Sequence, residues 1–135
     1  MKVICKYTEV TDELIKKLDL DENVQCFHYT ITKGKEYVVL ALSYAPSLNL
    51  NSEYPVIQIK DDSGYLYSHP LFLFNIVDDR VSKYWHIRFD RTDGWLKMWP
   101  ESFYQEYYHD DLSNDVIEIE KDFKRVSKLL EEEIY

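Results

Sequence analysis

Four histidines and two cysteines are the side chains best suited to metal binding or nucleophilic catalysis, and their spacing argues against both. His28, His69, His86 and His109 stand far apart, with no HxH, HExxH or Cys–His spacing. His109-Asp110-Asp111 could touch a metal ion, yet one histidine beside two aspartates is also the ordinary composition of a solvated helix end. Cys5 and Cys26 lie in apolar, strand-like text, VICKY and VQCFHY. That setting favours reduced, buried thiols over a disulfide or a nucleophile paired with histidine. With only three glycines, the chain has no glycine-rich phosphate loop, and Lys33-Gly34-Lys35 is too short to serve as one. Carboxylates abound, as they must where 25 Asp and Glu face 16 Lys and Arg. No metal, cofactor or catalytic residue is expected, so the reading is a binding protein and not an enzyme.

Charge and aromatic content give the more informative pattern. The net charge is −9 and aromatic residues make up 16%, with 12 tyrosines. Nucleic acid and anionic membranes are repelled overall, and basic residues do not cluster beyond KGK. Trp85, Arg88 and Arg91 could form at most a small stacking patch. Residues 1–100 hold 14 acidic and 12 basic residues, a balance of −2; residues 101–135 hold 11 and 4, a balance of −7. Aromatics stand beside that acidic end. Trp95, Trp99, Tyr104, Tyr107, Tyr108, Asp110 and Asp111 are therefore the expected partner-binding residues, since Tyr and Trp supply contact area at low entropic cost and acids attract a basic protein. The competing reading is that these rings, with Phe103, pack the helices onto the rest of the fold while the acids face water.

The elements that must position these residues form one domain of 135 residues, long enough to bury roughly two thirds of the extended chain's surface. The N-terminus lacks the apolar core of a signal peptide, and no stretch approaches the ~18 apolar residues of a membrane span, which points to a cytoplasmic protein. VICKY is a short strand. Thr11 caps a helix over DELIKKL, with acids in its first turn and lysines in its last. VQCFHYTI is a second strand, and EYVVLALSY, apolar on both faces, a central one. A polar loop, APSLNLNSE, follows. YPVIQIKD alternates, with Ile57 and Ile59 on one face and Val56, Gln58 and Lys60 on the other. Asp62-Ser63-Gly64 predicts a hairpin with Gly64 at positive φ, returning through YLYS to a tight turn at Pro70. NIVDD is a further strand, and Phe72, Phe74, Ile76 and Val77 fill core. SKYWHIRFD places Trp85, Ile87 and Phe89 on one face and His86, Arg88 and Asp90 on the other, before a turn at Asp93-Gly94. Pro100 is suited to the first position of a helix. It opens PESFYQEYYH, and after a break at DDLSND the last helix carries one apolar stripe of about six turns: Leu112, Val116, Ile119, Phe123, Val126, Leu130 and Ile134. Of these, Val116, Ile119, Phe123, Val126 and Leu130 should be buried.

KGKEYVVLAL followed by YPVIQIKDDSGYLYSHPLFLFNIVD resembles a recurrent bacterial SH3-like barrel. The matching residues are Lys33, Gly34, Lys35 and Tyr37, then Asp61, Asp62, Gly64, Tyr67, Pro70, Phe74, Ile76, Val77 and Asp78, in roughly 45 of the 135 residues. The loop between the first two strands is long for that pattern, and the N-terminal segment and helical tail lie outside it. The resemblance implies a small SH3-like barrel or strongly bent antiparallel sheet over residues 24–90; with the short N-terminal helix and the two C-terminal helices over 100–134 read from capping and periodicity, the expected fold is α+β. It leaves use open, because such barrels bind peptides or nucleic acids or serve as scaffolds. Small size, acidity and aromatic richness favour an intracellular protein-binding module, a monomer or weak dimer. Its sharpest version is an immunity- or antitoxin-like inhibitor of a basic toxin domain; one alternative is a phage or mobile-element accessory protein that binds a peptide on its barrel, and an uncharacterised enzyme is the least supported alternative.

Overall fold

Glu36–Tyr44 is apolar on both alternating faces because it serves two sheets. In the computed structural model, which describes residues 1–20, 27–44 and 54–135, this run is two strands, β2 (Glu36–Val38) and β3 (Ala41–Tyr44), where one central strand was expected. The chain crosses between the sheets at Val39 and Leu40, both buried, with Leu40 N–H donating to the Gln58 carbonyl at 2.8 Å. A second crossing comes at Pro70, where β5 (Leu66–Pro70) passes through a short 3-10 turn, Leu71–Leu73, into β6 (Phe74–Asp78).

The protein is α+β, with two antiparallel sheets. β1 (Lys2–Cys5) lies between β2 and β6 in the first; the second has the order β5-β4-β3-β8-β7, with β4 Val56–Lys60, β7 Trp85–Asp90 and β8 Trp95–Pro100. Among the described residues the strands do not close into a barrel. Strands run from Lys2 to Pro100, beyond the expected 24–90 on both sides. Residues 24–26 of the expected VQCFHYTI strand, Cys26 with them, and the loop over 45–53 lie outside the described residues. The described part of that strand contributes one isolated bridge, His28 to Glu9.

Local signals behave as their chemistry requires. Thr11 Oγ1 accepts the Leu14 N–H at 3.2 Å and caps α1 (Asp12–Lys17). Gly64 takes φ +85°, which closes the β4–β5 hairpin. The C-terminal helix is shorter than its stripe. Asp115, at φ +57°, separates α2 (Tyr108–Ser113) from α3 (Ile117–Glu131). Leu112 therefore belongs to α2, and Ile134 lies past the end of α3, exposed. Ile119, Phe123, Val126 and Leu130 are buried and Val116 is half-buried. Pro100 ends β8 and precedes a 3-10 turn, Glu101–Tyr104, where a helix start was expected.

One expected face gains a buried polar residue and another is corrected. Gln58 is buried although it alternates with Ile57 and Ile59, because its Oε1 accepts the His109 Nε2–H at 3.0 Å. On β6, Phe74 is buried as expected but Ile76 and Val77 are exposed; Leu73, in the turn before the strand, is buried and Phe72 half-buried.

Asp62 explains why the KGK-Y and DD-x-G stretches travel together. Its carboxylate accepts from Thr32 Oγ1 at 2.6 Å, Lys35 Nζ at 2.6 Å and Tyr37 OH at 2.8 Å, and its N–H donates to the Thr30 carbonyl at 3.0 Å. One side chain thus ties the segment leading into β2 to the β4–β5 hairpin of the other sheet. Hydrogen bonds from Lys35 and then Thr32 hold the Asp62 carboxyl down at about 2. A depressed carboxylate stabilises the fold above its unfolded pKa, near 4, and that contribution is lost as pH falls toward 2. Asp62→Asn should lower unfolding free energy by about 1–2 kcal/mol at pH 6. The gap to the parent should close as pH approaches 2 in urea titrations; a gap that does not vary with pH contradicts the carboxylate's role.

Candidate protein-binding surface

The aromatic residues chosen from sequence divide between framework and surface. Trp99, half-buried on β8, donates its Nε1–H to Ser43 Oγ at 2.8 Å and stacks on Tyr104, with centroids 5.2 Å apart and planes 25° apart. The Tyr104 hydroxyl shares its one proton between the carbonyls of His86 and Lys97, bridging β7 and β8. Arg88 lies 4.1 Å from the Tyr104 centroid, and Lys97 Nζ lies 5.0 Å from that of Trp99. These rings brace the sheet. Trp95 is half-buried beside the Asp93–Gly94 turn, its N–H donating to Asp93 Oδ1 at 2.9 Å.

Tyr108 is corrected outright as a surface residue. It is 1% exposed, packs on Phe103 at 5.1 Å and donates its hydroxyl to Asp122 Oδ2 at 2.9 Å. Burial, and then the Asp122 carboxylate, push the phenol far above its usual range. Tyr107 is the ring left outside. It is 65% exposed and takes φ +62°, an uncommon left-handed conformation for a non-glycine residue, and its carbonyl accepts the Asp111 N–H at 2.8 Å. Asp110 is exposed and Asp111 half-buried. From 105 to 120 the acids Glu106, Asp110, Asp111, Asp115, Glu118 and Glu120 occur with no Lys or Arg, and Ile117 is exposed among them.

A second surface was not foreseen. On β7, Trp85 is buried, its Nε1–H donating to the Leu40 carbonyl at 2.9 Å, but Ile87 and Phe89 on the same face are 68% and 61% exposed. Ile87 pairs with Met98, which pairs with Leu42; Phe89 pairs with Leu96, which pairs with Tyr44. Leu96 and Tyr44 are also exposed, and Leu42 and Met98 are half-buried. Three strands thus present one apolar patch at the outer edge of the five-stranded sheet. Alternation correctly grouped Trp85, Ile87 and Phe89, but no local signal says whether a face is covered.

The groups considered for chemistry are dispersed. His69 is fully buried, with Nδ1 3.0 Å from the Tyr67 carbonyl; burial lowers its pKa, and that of His109. His28 lies 3.8 Å from Glu9, and His86 is exposed on β7. Cys5 is a free, buried thiol directed at the Tyr7 carbonyl at 3.4 Å, and burial raises its pKa. Among the described residues no three His, Cys, Asp or Glu side chains are grouped to hold a metal ion, and no helix is long and apolar enough to cross a membrane. Compared with known proteins, the chain matches no protein-family model, no curated protein and no solved structure.

Proposed function

We propose that this chain is an intracellular protein-binding module and not an enzyme, and that its partner docks on the apolar patch at the β7 edge. The carrying observation is the exposure of Ile87 and Phe89 on the outer strand β7, beside the exposed Leu96 on β8. A contiguous uncovered apolar patch marks an interaction surface, and an outer strand can add a partner's backbone to its ladder. The net charge of −9 favours a basic partner, with residues 101–135, which hold 11 acidic and 4 basic residues and include Asp110 and Asp111, supplying most of the attracting field. In its sharpest form the reading is an immunity- or antitoxin-like inhibitor of a basic toxin domain in the cytoplasm. The Asp62 ties between KGK-Y and DD-x-G support an SH3-like origin for the central strands. Among the described residues no strand pairs with the outer edge of β7, which also favours a second reading, a phage or mobile-element accessory protein that binds an extended peptide there. A toxin gene beside this one separates the two.

The test is surface plasmon resonance, at two salt concentrations, against a partner recovered by pull-down. Phe89→Asp should raise the dissociation rate by about 10-fold or more without changing the melting temperature. Asp110→Lys with Asp111→Lys should lower the association rate and flatten its salt dependence. If Phe89→Asp binds like the parent while Tyr107→Ala dissociates faster, the acidic segment is the contact surface. If the parent self-associates in sedimentation and Phe89→Asp is monomeric, the patch joins two copies of this chain.

A further inference from the structure

The geometry points to a second site: a cleft between the start of β7, the 3-10 turn after β8 and α3 that takes a small oxyanion, a carboxylate or phosphate, joined to an apolar group. The cleft has a volume of about 690 Å³, within the range of small-molecule sites, and is lined by Lys83, His86, Arg88 and Arg125, with Glu101 as its one lining acid. In a chain with nine more acids than bases, three cations meet at this cleft; at its rim Asp122 pairs with Arg125, and Glu133 accepts the Lys83 backbone N–H at 2.7 Å.

The cations are not equally committed. Arg125 is held by Asp122 at 2.7 Å. Arg88 and Lys83 have no carboxylate within ion-pair distance among the described residues. Arg88 is nonetheless positioned, because its guanidinium rests 4.1 Å from the Tyr104 ring centroid. That ring is fixed by its stack on Trp99 and by its hydroxyl on two strand carbonyls. A guanidinium laid on an aromatic face keeps its in-plane N–H donors free, and their fork matches the paired oxygens of a carboxylate or phosphate. Lys83 Nζ, 5.2 Å from the Tyr84 centroid, adds a second positive charge at the same cleft. Tyr84 and Leu129 supply the apolar wall that asks for more than a bare ion. The cleft's polar groups fit a small ligand with a charged head and an apolar body, a chemistry different from that of the β7 patch.

Benzoate and phenyl phosphate are the probes, with inorganic phosphate as the head alone, titrated into the intact protein by amide-resolved NMR. Phenyl phosphate or benzoate should shift resonances of Tyr84, Arg88 and Tyr104 and bind at least ~10-fold more tightly than inorganic phosphate; whichever binds more tightly identifies the head. Arg88→Gln should weaken that binding by about 10-fold or more, the loss expected for a charge-assisted hydrogen bond. Lys83→Gln should weaken it less, and Lys121→Gln, outside the cleft, should leave it unchanged. Arg88→Lys controls for folding: it keeps the charge and should restore part of the affinity. The proposal is overturned if neither organic probe binds, if inorganic phosphate binds as well as they do, or if Arg88→Gln stays folded and binds like the parent.

Discussion

Phe123→Ala should lower the unfolding free energy by about 3–5 kcal/mol, the range for emptying a buried phenylalanine site. Phe123 is 7% exposed on α3, flanked along the helix by Ile119, Val126 and Leu130, all buried, and its ring centroid lies 6.4 Å from that of Phe103. The loss combines removed transfer free energy with a cavity that neighbours in a sheet-braced core fill only in part. Chemical denaturation at neutral pH measures it. Phe123→Asp should be worse, since it places a carboxylate among buried apolar side chains. A soluble Phe123→Asp protein with the parent's melting temperature would show that α3 does not pack through this residue.

Tyr108→Ala should cost a similar ~3–5 kcal/mol, whereas Tyr108→Phe should cost only about 1 kcal/mol. The ring is buried against Phe103; the hydroxyl makes one hydrogen bond, to Asp122, which keeps its Arg125 partner when the hydroxyl is lost. The ratio of the two losses separates packing from hydrogen bonding. Because Phe103 contacts both Tyr108 and Phe123, the two alanine substitutions should not add; an interaction energy on the order of 0.5–1 kcal/mol or more is expected in a double-mutant cycle. Tyr107→Ala, one residue away and exposed, should change stability by less than ~1 kcal/mol. If Tyr108→Ala were as mild as Tyr107→Ala, the ring would not be part of the core.

Tyr107 and Tyr108 show how far sequence reading reaches. Both are tyrosines in an acidic helical stretch, and composition assigned them the same role. The structure separates them because Tyr107 adopts a left-handed backbone before α2 begins, which turns its neighbour inward onto Phe103. Ile87 and Phe89 make the converse point. Period-2 alternation grouped them with Trp85, and only the tertiary structure shows that they stand exposed on the outermost strand of the sheet.

The sequence by itself determined what is written in neighbouring residues: the Thr11 cap, the Gly64 hairpin, the buried stripe of α3, the α+β composition and the acidic balance of the C-terminal third. These depend on φ preferences, short hydrogen bonds and helical periodicity, which act over a few residues. Only the tertiary structure decided the division of Glu36–Tyr44 between two sheets, the burial of Gln58 under His109, the meeting of Thr32, Lys35 and Tyr37 at Asp62, and the uncovered edge of β7. Each joins residues distant in the chain, and which distant segments meet is set by the free energy of packing whole elements, not by any residue's own preference.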